Sequence, residues 1–346
     1  MGEPDPDLWP RTLQRLVSHE ALSTEEAADA MRAIMSGDVT PGQVGGFLMA
    51  LRTKGETVDE LDGLARTVLE FANPVSPLAP VLDTCGTGGD RSGTLNISTL
   101  SAIVVAGAGV PVAKHGNRAA SSHCGSADLL EALGVMIDLD AAGVERCLAE
   151  AGIGFMFAPV FHPAFRHAAP VRGELRVPTS FNFMGPLTNP ARPASQVVGV
   201  SDERMLPLMA EVLARRGIRA KLFRGEDGLD ELTTTALSVV LDVRDGEVVE
   251  SRLDPTDHGI PRASRDDLRG GDPAEAARGA RAVLDGEPGP KRDVVLLNAG
   301  AALEVAGAAA DLEEGIVLAA ASIDDGKAAA TLERWIAISQ ATRGEG

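Results

Sequence analysis

The sequence predicts an α/β protein: a small, mainly helical N-terminal domain followed by a large α/β domain with a helix-covered central sheet. Three observations carry this expectation. The first 75 residues place their apolar positions at helical spacing. From Val81 onward, short β-branched runs alternate with alanine-rich helical segments. Between the two regimes lies Asn73-Pro74-Val75-Ser76-Pro77, which breaks both patterns and sets the domains at residues 1–75 and 76–346.

The elements follow in order. Leu13, Leu16 and Val17 sit at helical spacing, and Thr24 or Ser23 caps a helix over Glu25–Met35 with acidic residues in its first turn. Thr40 with Pro41 behind it opens a third helix, since proline suits the first helical position. On that helix Gly45 and Gly46, beside Phe47, Leu48 and Leu51, give a face that permits close helix packing. Val58–Phe71 repeats the pattern through Leu61, Leu64, Ala65, Val68 and Leu69. Val81-Leu82-Asp83 then reads as a strand, Ile97–Ala108 as a helix and Val110–Ala113 as a second strand. Further strands are expected at Gln196–Val200, Ala220–Phe223, Val239–Val243 and Val294–Leu297, with helices near Arg204–Arg215, Pro273–Asp285 and Leu312–Ile323. There is no internal repeat.

Composition narrows the function. With 346 residues, 44% of them apolar, and with 38 Gly and 21 Pro spread along the chain, the sequence is that of a globular protein with many loops. No apolar run is long enough to cross a membrane, and the acidic, proline-containing Met1–Asp7 is unlike a secretory signal. Cys85, Cys124 and Cys147 show neither metal spacing nor a disulfide pattern, so a reduced, cytoplasmic protein is expected. The net charge of −18 argues against a nucleic-acid binder, which needs a basic stripe to release counterions. An acidic protein that handles a polyphosphate must focus its cations and backbone N–H groups at one site, or recruit metal ions.

Three segments suit that task. Asp83-Thr84-Cys85-Gly86-Thr87-Gly88-Gly89-Asp90 empties a strand into closely spaced glycines, where amides can approach an anion with no Cβ in the way. Taken alone, in a chain this rich in glycine, a tight turn explains it better, and it lacks both the P-loop lysine and the dinucleotide spacing. Asn96-Ile97-Ser98-Thr99 opens the next helix, where free amides and the helix dipole favour an anion, although a simple N-cap by Ser98 or Asn96 accounts for the same residues. Lys114-His115-Gly116-Asn117-Arg118 follows a strand, which puts Lys114 and Arg118 at the carboxyl end where open α/β sheets bind ligands. Ser121-Ser122 and Gly125-Ser126-Ala127-Asp128 add hydroxyls behind it.

With two further segments, Asn182-Phe183-Met184-Gly185-Pro186-Leu187-Thr188-Asn189-Pro190 and Asp227-Gly228-Leu229-Asp230-Glu231, the ordered set resembles the anthranilate phosphoribosyltransferases almost from end to end. The resemblance implies a nucleoside phosphorylase-like architecture, with an insertion near residues 163–189 joining the helical domain and a homodimer through the N-terminal helices. It implies transfer of a phosphoribosyl group from phosphoribosyl pyrophosphate to the amine of anthranilate. The pyrophosphate substrate would contact Gly86, Gly89, Asp90, Thr94, Asn96, Ile97, Ser98 and Thr99. Lys114, His115, Gly116, Asn117, Arg118, Ala119, Ala120, Ser121, Ser122 and Ser126 complete that site by the same resemblance. Gly86, Asn117 and Arg172 would contact anthranilate, with His115 beside its entry route. Ser98, Asp230 and Glu231 would hold Mg2+, two ions per subunit.

Elementary chemistry agrees with several of these roles. Adjacent carboxylates in a glycine turn suit magnesium, which prefers oxygen ligands, and a guanidinium forks onto a carboxylate. No covalent nucleophile is evident: Cys85 adjoins the loop without a partner base. His162 and His167 read as structural. Arg176 stands where the family commonly has glycine and Met184 where it often has leucine, while His123 and Cys124 fall at variable positions. Two other readings stay open, a pyrimidine nucleoside phosphorylase-like enzyme and a non-catalytic nucleic-acid-binding relative of the same fold.

Overall fold

The computed structural model describes residues 7–119 and 123–344. Four helices come first: α1 (Leu8–Val17), α2 (Thr24–Ser36), α3 (Pro41–Lys54) and α4 (Val58–Glu70). Ser23, Thr40 and Thr57 each close a capping box on the helix that follows, satisfying amides that no helix can bond internally. Ser23, not Thr24, therefore caps α2. Gly45 and Gly46 bring α3 close to its neighbours within the chain, facing Val171 and Leu13 at van der Waals distance.

Then come β1 (Leu82–Gly86), α5 (Ile97–Gly107), β2 (Val112–Gly116), α6 (Ser126–Leu133), α7 (Ala141–Ala151) and β3 (Ile153–Phe157). Short helices α8 (Ala158–Phe161), α9 (Ala169–Leu175) and α10 (Met184–Leu187) lead to β4 (Ser195–Gly199), α11 (Met205–Arg215), β5 (Arg219–Gly225), β6 (Ser238–Arg244) and β7 (Glu247–Leu253). The chain closes with α12 (Pro273–Leu284), α13 (Pro290–Val305), α14 (Leu312–Asp324) and α15 (Lys327–Gly344).

The strands form one sheet in the order β3-β2-β1-β4-β5-β6-β7. The first five are parallel, and β6 and β7 return antiparallel. Successive strand residues point to opposite faces, and both faces are buried. Val197, Phe223 and Val240 join an apolar core with α5, α7 and α13, whereas Val198, Leu222 and Leu241 join a second core with α2, α3, α4 and α11. The residues of α9 and α10 belong to that second core, so the segment after β3 folds back onto the N-terminal helices.

Two expectations are corrected. Val294–Leu297 is not a strand but the interior of α13. A short apolar run fits a buried strand or a buried helix equally; here Pro290 starts a helix and Val294 to Val305 are buried throughout. The second strand runs over Val112–Gly116, later than expected, so Lys114 and His115 lie inside it and not beyond its end. Periodicity did not reveal β3 or the charged edge strand β7.

Candidate active site

The sheet order reverses at β1: β2 lies on one side and β4 on the other, which opens a crevice beyond their carboxyl ends. Gly86 and Gly199 face each other there as the last register pair of β1 and β4. The turn carrying Asp230 lies directly across both. A Cβ at Gly199 would fall 1.5 Å from the Asp230 carbonyl oxygen, and one at Gly86 would fall 2.5 Å from Asp230 Oδ2. The glycines are thus required by close backbone approach.

Gly88 and Gly89 have φ of +68° and +88°, turning the loop back over the crevice. The Gly88 amide donates to Asp230 Oδ2 at 2.7 Å. Ser201, just past β4, donates through Oγ to the Gly88 carbonyl at 2.7 Å and through its amide to Thr87 Oγ1 at 3.0 Å. Sequence reading missed Ser201, which belongs to no motif.

The start of α5 completes the floor. The Ser98 amide donates to Glu231 Oε1 at 3.1 Å, so the helix N-terminus already holds a carboxyl oxygen. Thr84 Oγ1 donates to the Ser98 carbonyl at 2.9 Å, and Thr99 Oγ1 to Ser126 Oγ at 3.1 Å. Asn96 Nδ2 donates to the Cys124 carbonyl at 2.9 Å. Lys114, 1% exposed, reaches under the loop to the Thr84 carbonyl at 2.5 Å and to Ser98 Oγ at 3.3 Å.

Charge is unbalanced in this small volume. Burial pushes the Asp230 carboxyl well above its ordinary range, and the charges of Asp90 and Glu231 push it further. Burial lifts Glu231 to about 8, against the pull of Lys114 and of the Ser98 amide. Burial also lowers Lys114, with Asp83, Cys85 and Glu231 opposing it. Asp90 Oδ2 is buried without a hydrogen-bond partner. Three carboxylates beside one buried lysine, with an orphaned oxygen among them, fit a divalent cation. Among the described residues no group of three or more His, Cys, Asp or Glu is arranged to hold a metal alone. Magnesium does not require one, because it is commonly held by one or two carboxylates with water and substrate phosphates.

The remaining expected residues are distributed as follows. Gly116 packs tightly against Phe155 and Ser126, and Asn117 Oδ1 accepts from the Arg118 amide at 2.7 Å. The Arg118 guanidinium turns outward, donating to Asp128 at 2.9 Å and to Glu131 at 2.5 and 2.9 Å. The basic cluster read from the sequence is therefore split, with Lys114 buried and Arg118 paired at the surface. The Ala119 amide donates to Asp128 Oδ2 at 3.0 Å. Thr94 makes an isolated β-bridge with Arg269. Ala120, Ser121 and Ser122 lie outside the described residues.

A chain of rings leads away from β2. His115 Nδ1 lies 3.1 Å from the Gly185 carbonyl, and its ring is 4.9 Å from that of His162. Phe165 follows at 5.7 Å, Phe181 at 5.5 Å beyond it, and the Arg172 guanidinium sits 5.6 Å over Phe181. Arg172 is half-buried and has no carboxylate partner among the described residues, and burial lowers its pKa. Asn189 Nδ2 donates to the Ala113 carbonyl and Gln196 Nε2 to the Pro186 carbonyl, both at 2.9 Å, fixing the 182–190 segment beside β2.

Comparison with known proteins agrees with this geometry. The family model described as glycosyl transferase family, helical bundle domain, matches residues 10–72, and the glycosyl transferase family a/b domain model matches residues 78–329. Anthranilate phosphoribosyltransferases of Arthrobacter sp. (strain FB24) and Acidothermus cellulolyticus are 53% and 55% identical. These alignments cover 96% of both chains in the first case and 98% in the second. The crystal structure of the Thermus thermophilus enzyme superposes with a TM-score of 0.91 at 46% identity, covering 95% of this chain and 99% of that one. The Saccharomyces cerevisiae enzyme in complex with PRPP and Mg superposes at 0.90 with 28% identity, covering 98% and 100%. A sequence half identical over nearly its whole length, with the same overall fold, belongs to the anthranilate phosphoribosyltransferase family.

Proposed function

We propose that this protein transfers the phosphoribosyl group of phosphoribosyl pyrophosphate to the amine of anthranilate, releasing pyrophosphate. The observation that carries the reading is the convergence, at one strand-end crevice, of the glycine loop, the start of α5 and the buried Asp230–Glu231 pair. A chain of rings links that crevice to the guanidinium of Arg172.

In this reading the Gly86–Asp90 loop and the Asn96–Thr99 helix start hold the phosphates by backbone amides and hydroxyls, with Lys114 supplying positive charge from below. Ser98, Asp230 and Glu231 would hold magnesium, two ions per subunit, which when bound neutralises the departing pyrophosphate. Bond breaking at ribose C1 leads bond making, leaving an oxocarbenium-like centre. Arg172 forks onto the anthranilate carboxylate and Asn117 contacts the same ring, aiming the amine at C1. That amine is already unprotonated at neutral pH, so no strong base is needed beforehand. The acidic proton left on nitrogen after attack passes to water or to the departing pyrophosphate, and catalysis is mainly positioning and charge stabilisation.

We assign the N-terminal helices with the 163–189 insertion to one domain and the sheet to the other. The protein would act as a cytoplasmic homodimer through α1 and α3, where Val17 and Met49 are exposed.

Anthranilate fluorescence tests the reaction. On mixing with phosphoribosyl pyrophosphate, fluorescence is expected to fall with magnesium and to hold with chelator. An Asp230→Asn, Glu231→Gln double variant is expected to be at least a hundredfold slower. Full activity in that variant would overturn the metal assignment. No fluorescence loss from a folded protein that binds phosphoribosyl pyrophosphate would overturn the acceptor.

A further inference from the structure

The Asp230–Glu231 turn is short, and something must hold it over the crevice. On its N-terminal side the turn is braced internally. The Leu229 amide donates to Asp227 Oδ1 at 3.2 Å, Thr233 Oγ1 donates to Asp227 Oδ2 at 3.0 Å, and Thr235 Oγ1 donates to the same oxygen. On its C-terminal side the brace comes from the far end of the sequence. Asn298, 2% exposed on α13, accepts from the Leu232 amide at 3.0 Å and donates to the Leu232 carbonyl at 2.8 Å. The same Nδ2 donates to the Val294 carbonyl at 2.8 Å, one turn earlier in its own helix. The side chain thus grips both backbone polar groups of the residue next to Glu231 while anchored to a rigid helix. Ser101 Oγ of α5 donates to the Val295 carbonyl at 3.5 Å, so α13 also abuts the helix whose start bonds Glu231.

We infer that Asn298 is a positioning residue for the Asp230–Glu231 carboxylates, setting their affinity for divalent metal without touching metal or substrate. The inference rests on the metal reading of the proposed function. The work needs an amide: a carboxylate lacks the donor for the Leu232 and Val294 carbonyls, and a hydroxyl has a single donor for the two. Groups behind a metal ligand typically govern metal affinity by ten- to a hundredfold.

Water-proton relaxation with Mn2+ and phosphoribosyl pyrophosphate reads the protein-bound metal directly, apart from turnover. The wild type is expected to show saturable enhancement, and Asn298→Ala to need at least tenfold more Mn2+ for half-saturation. Asn298→Ser, which keeps one bond and one hydroxyl, is expected to fall between the two, and decides the matter if the alanine variant does not fold. Ser322→Ala is the control: it loses an equally buried bond, to the Val104 carbonyl at 2.7 Å near the C-terminal end of α5, away from the helix start that faces the crevice. That control is expected to lower the melting temperature and leave Mn2+ affinity unchanged. Folded Asn298 variants within twofold of the wild type, or an affinity loss matched by Ser322→Ala, would overturn the inference. Absence of Mn2+ enhancement in the wild type would instead overturn the metal reading and the inference with it.

Discussion

His162 is 3% exposed, and neither ring nitrogen makes a hydrogen bond of normal geometry. Burial, and then the neighbouring His115, lower it from 6.5 to about 3, with the Thr188 backbone acting in the opposite direction. The ring therefore stays neutral in the folded protein while the unfolded chain takes up a proton below 6.5. Its contribution to stability is complete above that pH and is lost as pH falls from 6.5 towards 3, by about 1.4 kcal/mol per pH unit for one proton. His115, also lowered by burial, acts in the same direction. Asp230 and Glu231, raised in the fold, act in the opposite one, so the useful measurement is a difference. Replacing His162 with Phe should flatten the fall of stability between pH 6.5 and 4 by one proton's worth. Equal slopes in wild type and variant, by denaturant titration at several pH values, would show that His162 is not a buried neutral ring. Arg176 is understood at the same scale. It ends α9 with φ of +52°, a left-handed conformation that glycine adopts without a Cβ penalty.

Elements meet most tightly where β1 and β4 end. Their last residues, Gly86 and Gly199, lie in register beneath the Asp230 turn, and the space above Gly199 is filled by the Asp230 backbone. A methyl group there cannot be absorbed by a side-chain rotation, because the atoms it meets are main chain. Gly199→Ala should therefore displace the turn, lowering kcat/KM by more than a hundredfold and reducing the melting temperature. Gly42→Ala, in α3, where a Cβ would come no closer than 4.0 Å to the Thr40 hydroxyl, should leave kcat/KM unchanged and not lower the melting temperature. Near-normal kcat/KM in Gly199→Ala would mean that the turn tolerates movement and that the carboxylates are not held by backbone approach.

Across the whole molecule, a polar contact ties the N-terminal helices to the glycine loop. Arg52 on α3 donates to Asp202 at 2.6 Å, while Ser180 Oγ of the 163–189 segment donates to the buried Glu56 at 2.9 Å and binds that segment to the helices. Asp202 follows Ser201, which holds Thr87 and Gly88, so the helical layer touches the loop through two residues. Arg52 and Asp202 are each only about a fifth exposed, so the pair is screened less than a surface bridge. A double-mutant cycle of Arg52→Ala and Asp202→Ala should give a coupling of about 1 kcal/mol by chemical denaturation. Additive effects would mean that this pair contributes nothing to joining the two layers, leaving the apolar core and the Arg215–Asp59 and Arg216–Asp62 pairs to do so.

Sequence alone determined the elements whose signals are local. Capping residues start helices with their own neighbouring amides, and short apolar runs mark β4, β5 and β6, so these were legible without a partner in view. The ordered motifs were legible for the same reason: glycines, hydroxyls and paired carboxylates carry their chemistry wherever the chain places them. Tertiary structure decided the rest. Val294–Leu297 became helix because a run buried on every side has no amphipathic period to read. Edge strand β7 was masked by its charges, which keep an exposed edge from pairing with other chains. Lys114 was turned inward and Arg118 outward by partners 16 and 10 or more residues away. Ser201 and Asn298 belong to no motif, since each serves the site through backbone groups that only folding brings beside them. A local pattern can announce a helix start or an anion loop, but which buried charge meets which is fixed by long-range contact, and that is why only the fold shows it.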